Sequence, residues 1–402
     1  MVITLKKKNN VVKTKFILNP FLWFTLVWLF VLVLHTFNFS RAYPATSNAM
    51  YSFLIAVLII SLILAIIYHH FFLKRLTHIN ITSYPIWAPI IVAYVILLAE
   101  VIVSRQLPLV SVFLKLTTYK DFGVPILSGF MYSFCIFLSL ICSIKLVYGE
   151  GNKWKNFIAL LLSYGRFVLV YSRGGLVICA LITLVILLSK IRIAWWWIPV
   201  LLVLAIVFLR LFNIIGNIRM GYAWNDSSYL LEISQFKKMY YGLKDFSWGI
   251  VYLDTPLGNL LYNERYVKPL YDYNGLIAQL FPSVISERLF PDFDPELTLA
   301  IPNLTVSSMF AGGYKYYGYA GMIVIYVEMV LIVLISSLLC KKENFALLGA
   351  ASFLSLLCAM SFFDNMFYSS GNSFALIYLI IYLFFFYKKK PSLNYVVLVS
   401  ES

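Results

Sequence analysis

The sequence predicts an all-α polytopic membrane bundle of about ten transmembrane helices, with one large extracytoplasmic loop that contains short amphipathic helices. Three observations predict it. Of 402 residues, 62% are hydrophobic and 12% charged, and the mean hydropathy is +0.86, far from the composition of soluble domains. The apolar residues gather into windows of about 20 residues, the length that crosses the hydrocarbon core as a helix. One polar, aromatic-rich stretch of ninety-three residues, Asn213 to Thr305, interrupts them, and a connection that long carries a job of its own.

The windows fall near 16–36, 50–73, 84–104, 122–147, 156–172, 174–190, 195–212, 318–339, 344–362 and 372–387. They divide the chain into an N-terminal membrane bundle of about seven spans (1–212), the loop (213–305) and a C-terminal bundle of about three spans (306–402). The first window is long and lacks a small-residue cleavage site, so no cleavable signal peptide is expected. The fifth and sixth are joined almost without a loop at Ser172 to Gly175, and merging them would move everything after residue 172 to the opposite face.

Charge bias arbitrates, because Lys and Arg in short flanking segments collect on the cytoplasmic side. With ten spans, one face carries Lys6, Lys7, Lys8, Lys13, Lys15, Lys74, Arg75, Lys145, Lys153, Lys155, Lys190, Arg192, Lys341, Lys342, Lys388, Lys389 and Lys390, seventeen of thirty-two basic residues. Opposite short segments carry Arg41, Arg105, Lys115 and Lys120. This places both termini in the cytoplasm and the long loop on the outer face.

The same placement explains the net charge of +15 without nucleic acid, since the basic residues flank apolar runs. The cysteines lie in or at the end of apolar runs with no CxxC spacing, which supports neither a disulfide framework nor a zinc site. Asp292, Asp294 and Glu296 alternate as hard-cation ligands do, but Pro291 and Pro295 bracket them and no calcium-loop glycine follows; a solvated acidic turn is expected, with no metal and no cofactor. Gly312-Gly313 is too little for a nucleotide loop. One large off-centre loop, with seven spans before it and three after, also departs from the inverted repeats common in transporters.

Inside the loop, Asp226-Ser227-Ser228 precede Leu230, Ile233, Phe236, Tyr240 and Leu243 at helical spacing, which predicts a capped amphipathic helix along the bilayer surface. A second apolar stretch, Leu276 to Phe290, is interrupted by Pro282, and turns are expected at Gly258-Asn259 and Asn274-Gly275. Tyrosines, tryptophans and ten carboxylates crowd the region. Rings that stack on sugar C–H faces, beside acceptors for hydroxyls, suit a saccharide; the plainer role for any single ring is an interfacial anchor.

Arg166 and Arg173 are two helical turns apart, Arg210 ends the seventh window and Arg219 follows it. Arginine in apolar sequence is costly and usually faces a bundle interior or a water-filled cavity. Guanidinium forks grip phosphate bidentately at any relevant pH, so four of them meeting at an outer mouth would hold a diphosphate; snorkelling to headgroups is the alternative for each. Glu100 and Glu328 also interrupt apolar runs, and either can pair with an arginine. Histidine is scarce, only His35 lies on the outer side, and a carboxylate is the expected base unless His35 reaches the mouth.

Several short motifs fall in a telling order: Ser172-Arg173-Gly174-Gly175 opening a span, one large outer loop in the second half, Phe281-Pro282, Asn303, and Tyr314-Lys315-Tyr316-Tyr317-Gly318-Tyr319-Ala320-Gly321 leading into a span. In these the chain resembles, over most of its length, the Wzy-type oligosaccharide repeat-unit polymerases of O-antigen and capsule assembly. The resemblance implies an undecaprenyl-diphosphate-linked oligosaccharide as substrate in the bacterial inner membrane. It also implies transfer of the growing glycan to the non-reducing end of an incoming lipid-linked unit, and a chain-length regulator protein and a flippase as partners. Arg173 becomes a donor-diphosphate contact, with Arg210, Arg219 and Arg166 as further diphosphate-binding candidates; Arg210 to Gly221 matches an Arg-x10-Gly pattern of some members, in a single copy. Asp226, close after Arg219, and Glu287, beside Arg288, are the candidate bases among ten carboxylates. A flippase or other polysaccharide transporter and a scaffold remain as rivals, while the related ligases carry a loop histidine that this chain lacks.

Overall fold

The computed structural model of the protein describes residues 11–79, 86–114, 122–124, 126–149, 152–192, 194 and 197–386. Lys6, Lys7, Lys8, Lys115, Lys120 and Lys388-Lys389-Lys390, which entered the orientation argument, lie outside the described residues, as does the side chain of Arg219. The chain is all-helical, 73% helix. Two isolated bridges, Val11 to His78 and Ser40 to Phe236, are the extended pairings among the described residues.

The helices are α1 (Pro20–Thr36), α2 (Asn48–Tyr68, continued by a π-helical turn to Leu73), α3 (Trp87–Ser104), α4 (Pro108–Phe113), α5 (Leu127–Tyr148), α6 (Lys153–Leu169), α7 (Arg173–Lys190) and α8 (Trp197–Arg219). After them come α9 (Ser228–Ile233), a 3₁₀ helix (Lys238–Phe246), α10 (Ser247–Tyr266), α11 (Tyr273–Ala278), α12 (Ser283–Leu289), α13 (Phe310–Cys340), α14 (Asn344–Met360) and α15 (Ser370–Phe386). Every apolar window of the sequence falls on a helix. Five helices are long and apolar enough to cross a membrane: α2 with its continuation, α3, α5, α7 and α13. Helices α1 and α14, and stretches of α8 and α15, are apolar but shorter. Such a set is consistent with a multi-pass membrane protein.

Helix α14 is the axle. It packs against α1, α13, α7, α15 and α5, and its residues from Phe345 to Cys358 are all buried. Ala346, Gly349, Ala350, Ala351, Ser352 and Ser355 let neighbouring backbones approach, which is how helices associate where lipid is as apolar as the core. Helix α5 is buried almost as completely, against α6, α7 and α15. Helices α2 and α3 lie outside this core and turn isoleucine, leucine and valine outward, the surface a lipid-facing helix presents.

Helix α6 ends at Leu169 and α7 begins at Arg173, with Tyr171 at φ +58 turning the chain between them, so the fifth and sixth windows are separate helices, as read. Other readings of the sequence change. Helix α8 runs to Arg219, seven residues past the expected end. Asn213 and Asn217, polar and therefore read as loop, sit one turn apart and hold α10: Asn213 Oδ1 accepts from the Trp248 backbone and Ser247, and Asn217 Oδ1 accepts from Trp248 Nε1 at 2.8 Å. The expected helix from Ser228 to Leu243 breaks after Ile233, because the chain turns back at Gln235, φ +49, to join the α1–α2 connection. There Ser40 Oγ donates to Ser234 O at 2.6 Å, and Lys237 N to Phe39 O at 2.8 Å.

One further change is the largest. Gly258-Asn259 is not a turn but the middle of α10, which packs among α1, α8 and α13 with fourteen of its twenty residues buried. Gly258 lies under the Tyr43 ring, where a Cβ would collide. Phe39, Tyr43, Leu230, Phe236, Trp248, Val251, Ile301 and Leu304 form a second small core around it.

Helix α13 contains a reversal that explains its glycines. Tyr317 and Gly318 leave helical geometry, Gly318 with φ +61 and ψ −144, a region glycine alone visits readily. Gly321 is thereby folded against the Gly313 backbone, with no room for a Cβ on either. Gly318→Ala is expected to lower stability by about 1–3 kcal/mol, read as a lower unfolding midpoint in detergent. Gly242→Ala, at an open position, should stay within about 0.5 kcal/mol.

Candidate functional site

The four arginines sit in different environments. Arg166 is buried in α6, and its Nη1 donates to Glu100 Oε2 of α3 at 2.7 Å; Ser128 Oγ donates to the other carboxylate oxygen. Glu100, not Glu328, is therefore the acidic partner that the sequence left open, and the charge of Arg166 is balanced inside the protein. Arg173 opens α7, exposed, with Nη2 donating to Tyr171 Oη at 2.6 Å and its guanidinium 4.9 Å from that ring's centre. A cation at the positive end of a helix gains nothing from the macrodipole, so this position offers the guanidinium to something outside the helix. Arg210 pairs with Asp245 at 2.5 Å and lies 5.9 Å from the Trp224 ring. Arg219 ends α8. Arg166 and Arg173 thus belong to helices packed around α5, and Arg210 and Arg219 to α8, whose main partners are α10 and the 3₁₀ helix.

The two carboxylates singled out as bases are on open surface. Asp226 accepts from the Ser228 backbone at 2.9 Å in the turn before α9, and its hydrogen bonds with Ser228 hold it below the usual carboxylate range, which weakens it as a base. Glu287 is exposed on α12. In the acidic triplet, Asp294 pairs with Lys315 at 2.8 Å, and Lys315 also donates to Asp294 O at 2.7 Å and to Glu296 O at 2.5 Å. The Lys315 hydrogen bond, with a backbone N–H from Glu296, holds the Asp294 carboxyl below its ordinary value. Asp294 therefore fastens the loop to α13.

His35 engages a residue 219 positions away. Its Nδ1 lies 2.6 Å from Asp254 Oδ1 in α10, both side chains almost fully buried. Its Nε2 lies 3.2 Å from Pro44 O, which can only accept, so Nε2 carries a hydrogen and Nδ1 shares a proton with Asp254. With both ring nitrogens engaged, His35 joins α1 to α10. Neither partner carries a sequence motif; an acidic residue in an otherwise apolar heptad of α10 was the available signal.

From α10 the hydrogen bonds continue outward. Asn259 Nδ2 donates to Leu304 O and Val306 O at 3.0 and 2.7 Å, Asn259 Oδ1 accepts from Ala300 N, and Asn263 Nδ2 donates to Thr298 O at 2.6 Å. Two asparagines one turn apart on a buried helix thereby hold the segment 298–306. That segment walls a cavity of about 680 Å³, closed by Gln279 just after α11, Gly312 of α13 and the α14–α15 turn from Phe363 to Tyr368. The α14–α15 turn is tied at both ends: Ser361 O accepts from Met309 N at 3.0 Å, and Tyr368 O from Ser283 N at 2.8 Å.

The cavity is lined by polar and apolar side chains alike, and its charged members are acidic: Asp364 and Glu296 line it, and among the described residues no Lys or Arg does. Asp364 is an exposed residue on the cavity lining, and desolvation by the protein around it raises its carboxyl above the ordinary value. Ser307 Oγ, Ser308 Oγ and Asn365 Nδ2 are buried without a protein partner. Tyr132 of α5 relates this cavity to Arg173: its hydroxyl faces Gly174, beside Arg173, and its ring abuts Gly371, just beyond the turn. The exposed guanidinium and the cavity are therefore at one end of the bundle.

Comparison with known protein families, with functionally described proteins and with solved structures returns no match.

The two buried or exposed arginines differ in what their loss should do. Arg166→Ala leaves Glu100 buried and unpaired and is expected to cost about 3–5 kcal/mol, while Arg173→Ala should stay within about 0.5 kcal/mol of wild type. Unfolding midpoints in detergent separate the two, and equal losses would contradict this division.

Proposed function

We propose that this protein is a polymerase of lipid-linked oligosaccharide repeat units, a glycosyltransferase of the bacterial inner membrane. It transfers the growing glycan from undecaprenyl diphosphate to the non-reducing end of an incoming undecaprenyl-diphosphate-linked unit. The observation that carries the reading is the placement of an exposed arginine, Arg173, at the bundle end that also holds a cavity free of basic side chains. A cation for a diphosphate and a chamber without basic side chains for sugar are the two halves that this transfer needs.

In this reading the chain crosses the membrane ten times, with both termini in the cytoplasm and the segment 213–305 on the outer face, as the basic residues at helix ends favour. Arg173 grips the donor diphosphate. As the anomeric C–O bond breaks, charge develops on the leaving phosphate, and a fixed guanidinium stabilises it. Arg210 and Arg219 lie on α8, which packs against α10 and the 3₁₀ helix, while Arg166 supports the fold through Glu100. The order of short motifs shared with Wzy-type polymerases supports the same assignment, and a flippase is the principal rival.

Arg173→Ala is expected to abolish long-chain glycan in cells while single lipid-linked units accumulate on the outer face, and Arg173→Lys should restore little because bidentate geometry is lost. Gel analysis of the glycan checks this. A normal length distribution in Arg173→Ala would overturn the diphosphate contact, and units trapped on the cytoplasmic side would instead mark a flippase.

A further inference from the structure

The cavity beneath the α14–α15 turn has features that the transfer reading does not by itself assign. Its volume of about 680 Å³ falls within the range of small-molecule sites. Ser307, Ser308 and Asn365 are at least nine-tenths buried, and each leaves a donor or acceptor without a protein partner. Buried polar atoms are almost always satisfied, and three groups that lack a protein partner belong to residues lining this one chamber. The absence of Lys and Arg from the lining argues against an anion there. Phe363 and Tyr368 add ring faces beside these polar groups. Hydroxyls that both donate and accept, on a ring whose C–H face stacks on aromatics, match that surface.

Asp364 is the chemically distinctive member. Among the described residues no cation pairs with it, and the hydrogen bond its carboxylate accepts comes from the Asn365 backbone at 2.7 Å. Its fellow titratable lining residues are Glu296 and Tyr368. A carboxylate short of hydrogen bonds, facing a chamber, has acceptor capacity to spare, and desolvation makes it a stronger base than a free one.

We propose that this cavity binds the acceptor saccharide and that Asp364 is the catalytic residue that removes the proton from its attacking hydroxyl; the assignment rests on the polymerase reading above. The hydroxyl O–H bond breaks and its proton passes to the Asp364 carboxylate. The oxygen's electron pair forms the new bond to the anomeric carbon of the donor glycan. The anomeric C–O bond to the lipid diphosphate breaks, and its electron pair leaves with the diphosphate. Asp226 and Glu287, which do not line the cavity, are then spectators.

The experiment uses the full chain in lipid nanodiscs with lipid-linked repeat units extracted from the cells that make it. Asp364→Asn is expected to slow polymer formation at least about a hundredfold with unchanged unfolding midpoint, and Asp364→Glu to recover part of the rate. A second readout needs no turnover. The native cysteines Cys135, Cys142, Cys179, Cys340 and Cys358 are all buried, so a cysteine placed by Thr305→Cys on the cavity wall reports labelling by a water-soluble maleimide. The free repeat-unit oligosaccharide should slow that labelling severalfold in a saturable way. Full polymerisation by Asp364→Asn overturns the base, and no slowing of labelling overturns the sugar site. Slowed labelling by a wild-type chain that forms no polymer sinks the polymerase reading and the base with it, while the sugar site stands.

Discussion

The buried contact between His35 and Asp254 is the constraint on which the rest of the site depends. Two ionisable groups taken from water are stable only while they satisfy each other, and here His35 has a second partner in the Pro44 carbonyl. The pair fixes the register of α10 against α1, with Tyr43 Oη and Thr255 Oγ1 at 2.7 Å adding a neighbouring bond. Helix α10 is thus a strut inside the bundle. Asn259 and Asn263 use that fixed strut to hold the backbone of 298–306, and that backbone is the cavity wall.

Charge is partitioned along the same lines. Arg166 and Glu100 neutralise each other between α6 and α3, Arg210 leans on Asp245 and Lys315 on Asp294. Among the described residues Arg173 hydrogen-bonds a tyrosine hydroxyl and pairs with no acid. The cavity at the same end of the bundle is lined by carboxylates and, among the described residues, by no cation. On the proposed reading, a diphosphate sits at the guanidinium and a sugar in the chamber.

What the sequence made legible is what period and composition encode. Apolar windows became helices because twenty apolar residues in lipid have no better way to satisfy their backbone. Pro282 separated α11 from α12 where expected. Hidden were the places where polar side chains turn inward. Asn213, Asn217, Asn259 and Asn263 look like loop residues, yet each spends its amide on the protein backbone or on Trp248 or serine partners, a tertiary choice that overrides local propensity. His35 with Asp254 and Arg166 with Glu100 pair across 219 and 66 residues, distances that no local pattern records. Asp364 had one faint signal: an acid just past the end of an apolar window, with no basic residue near it to be a partner.

The most direct test of the central claim is hydrogen–deuterium exchange of the protein in lipid nanodiscs. Amides of Ile250 to Leu261 should stay protected for hours, as those of α14 do, while Lys238 to Phe246, a 3₁₀ helix with no buried residue, exchange within seconds to minutes. Equally fast exchange of both segments would show that α10 is no internal strut, and the cavity wall built on it would fall with it.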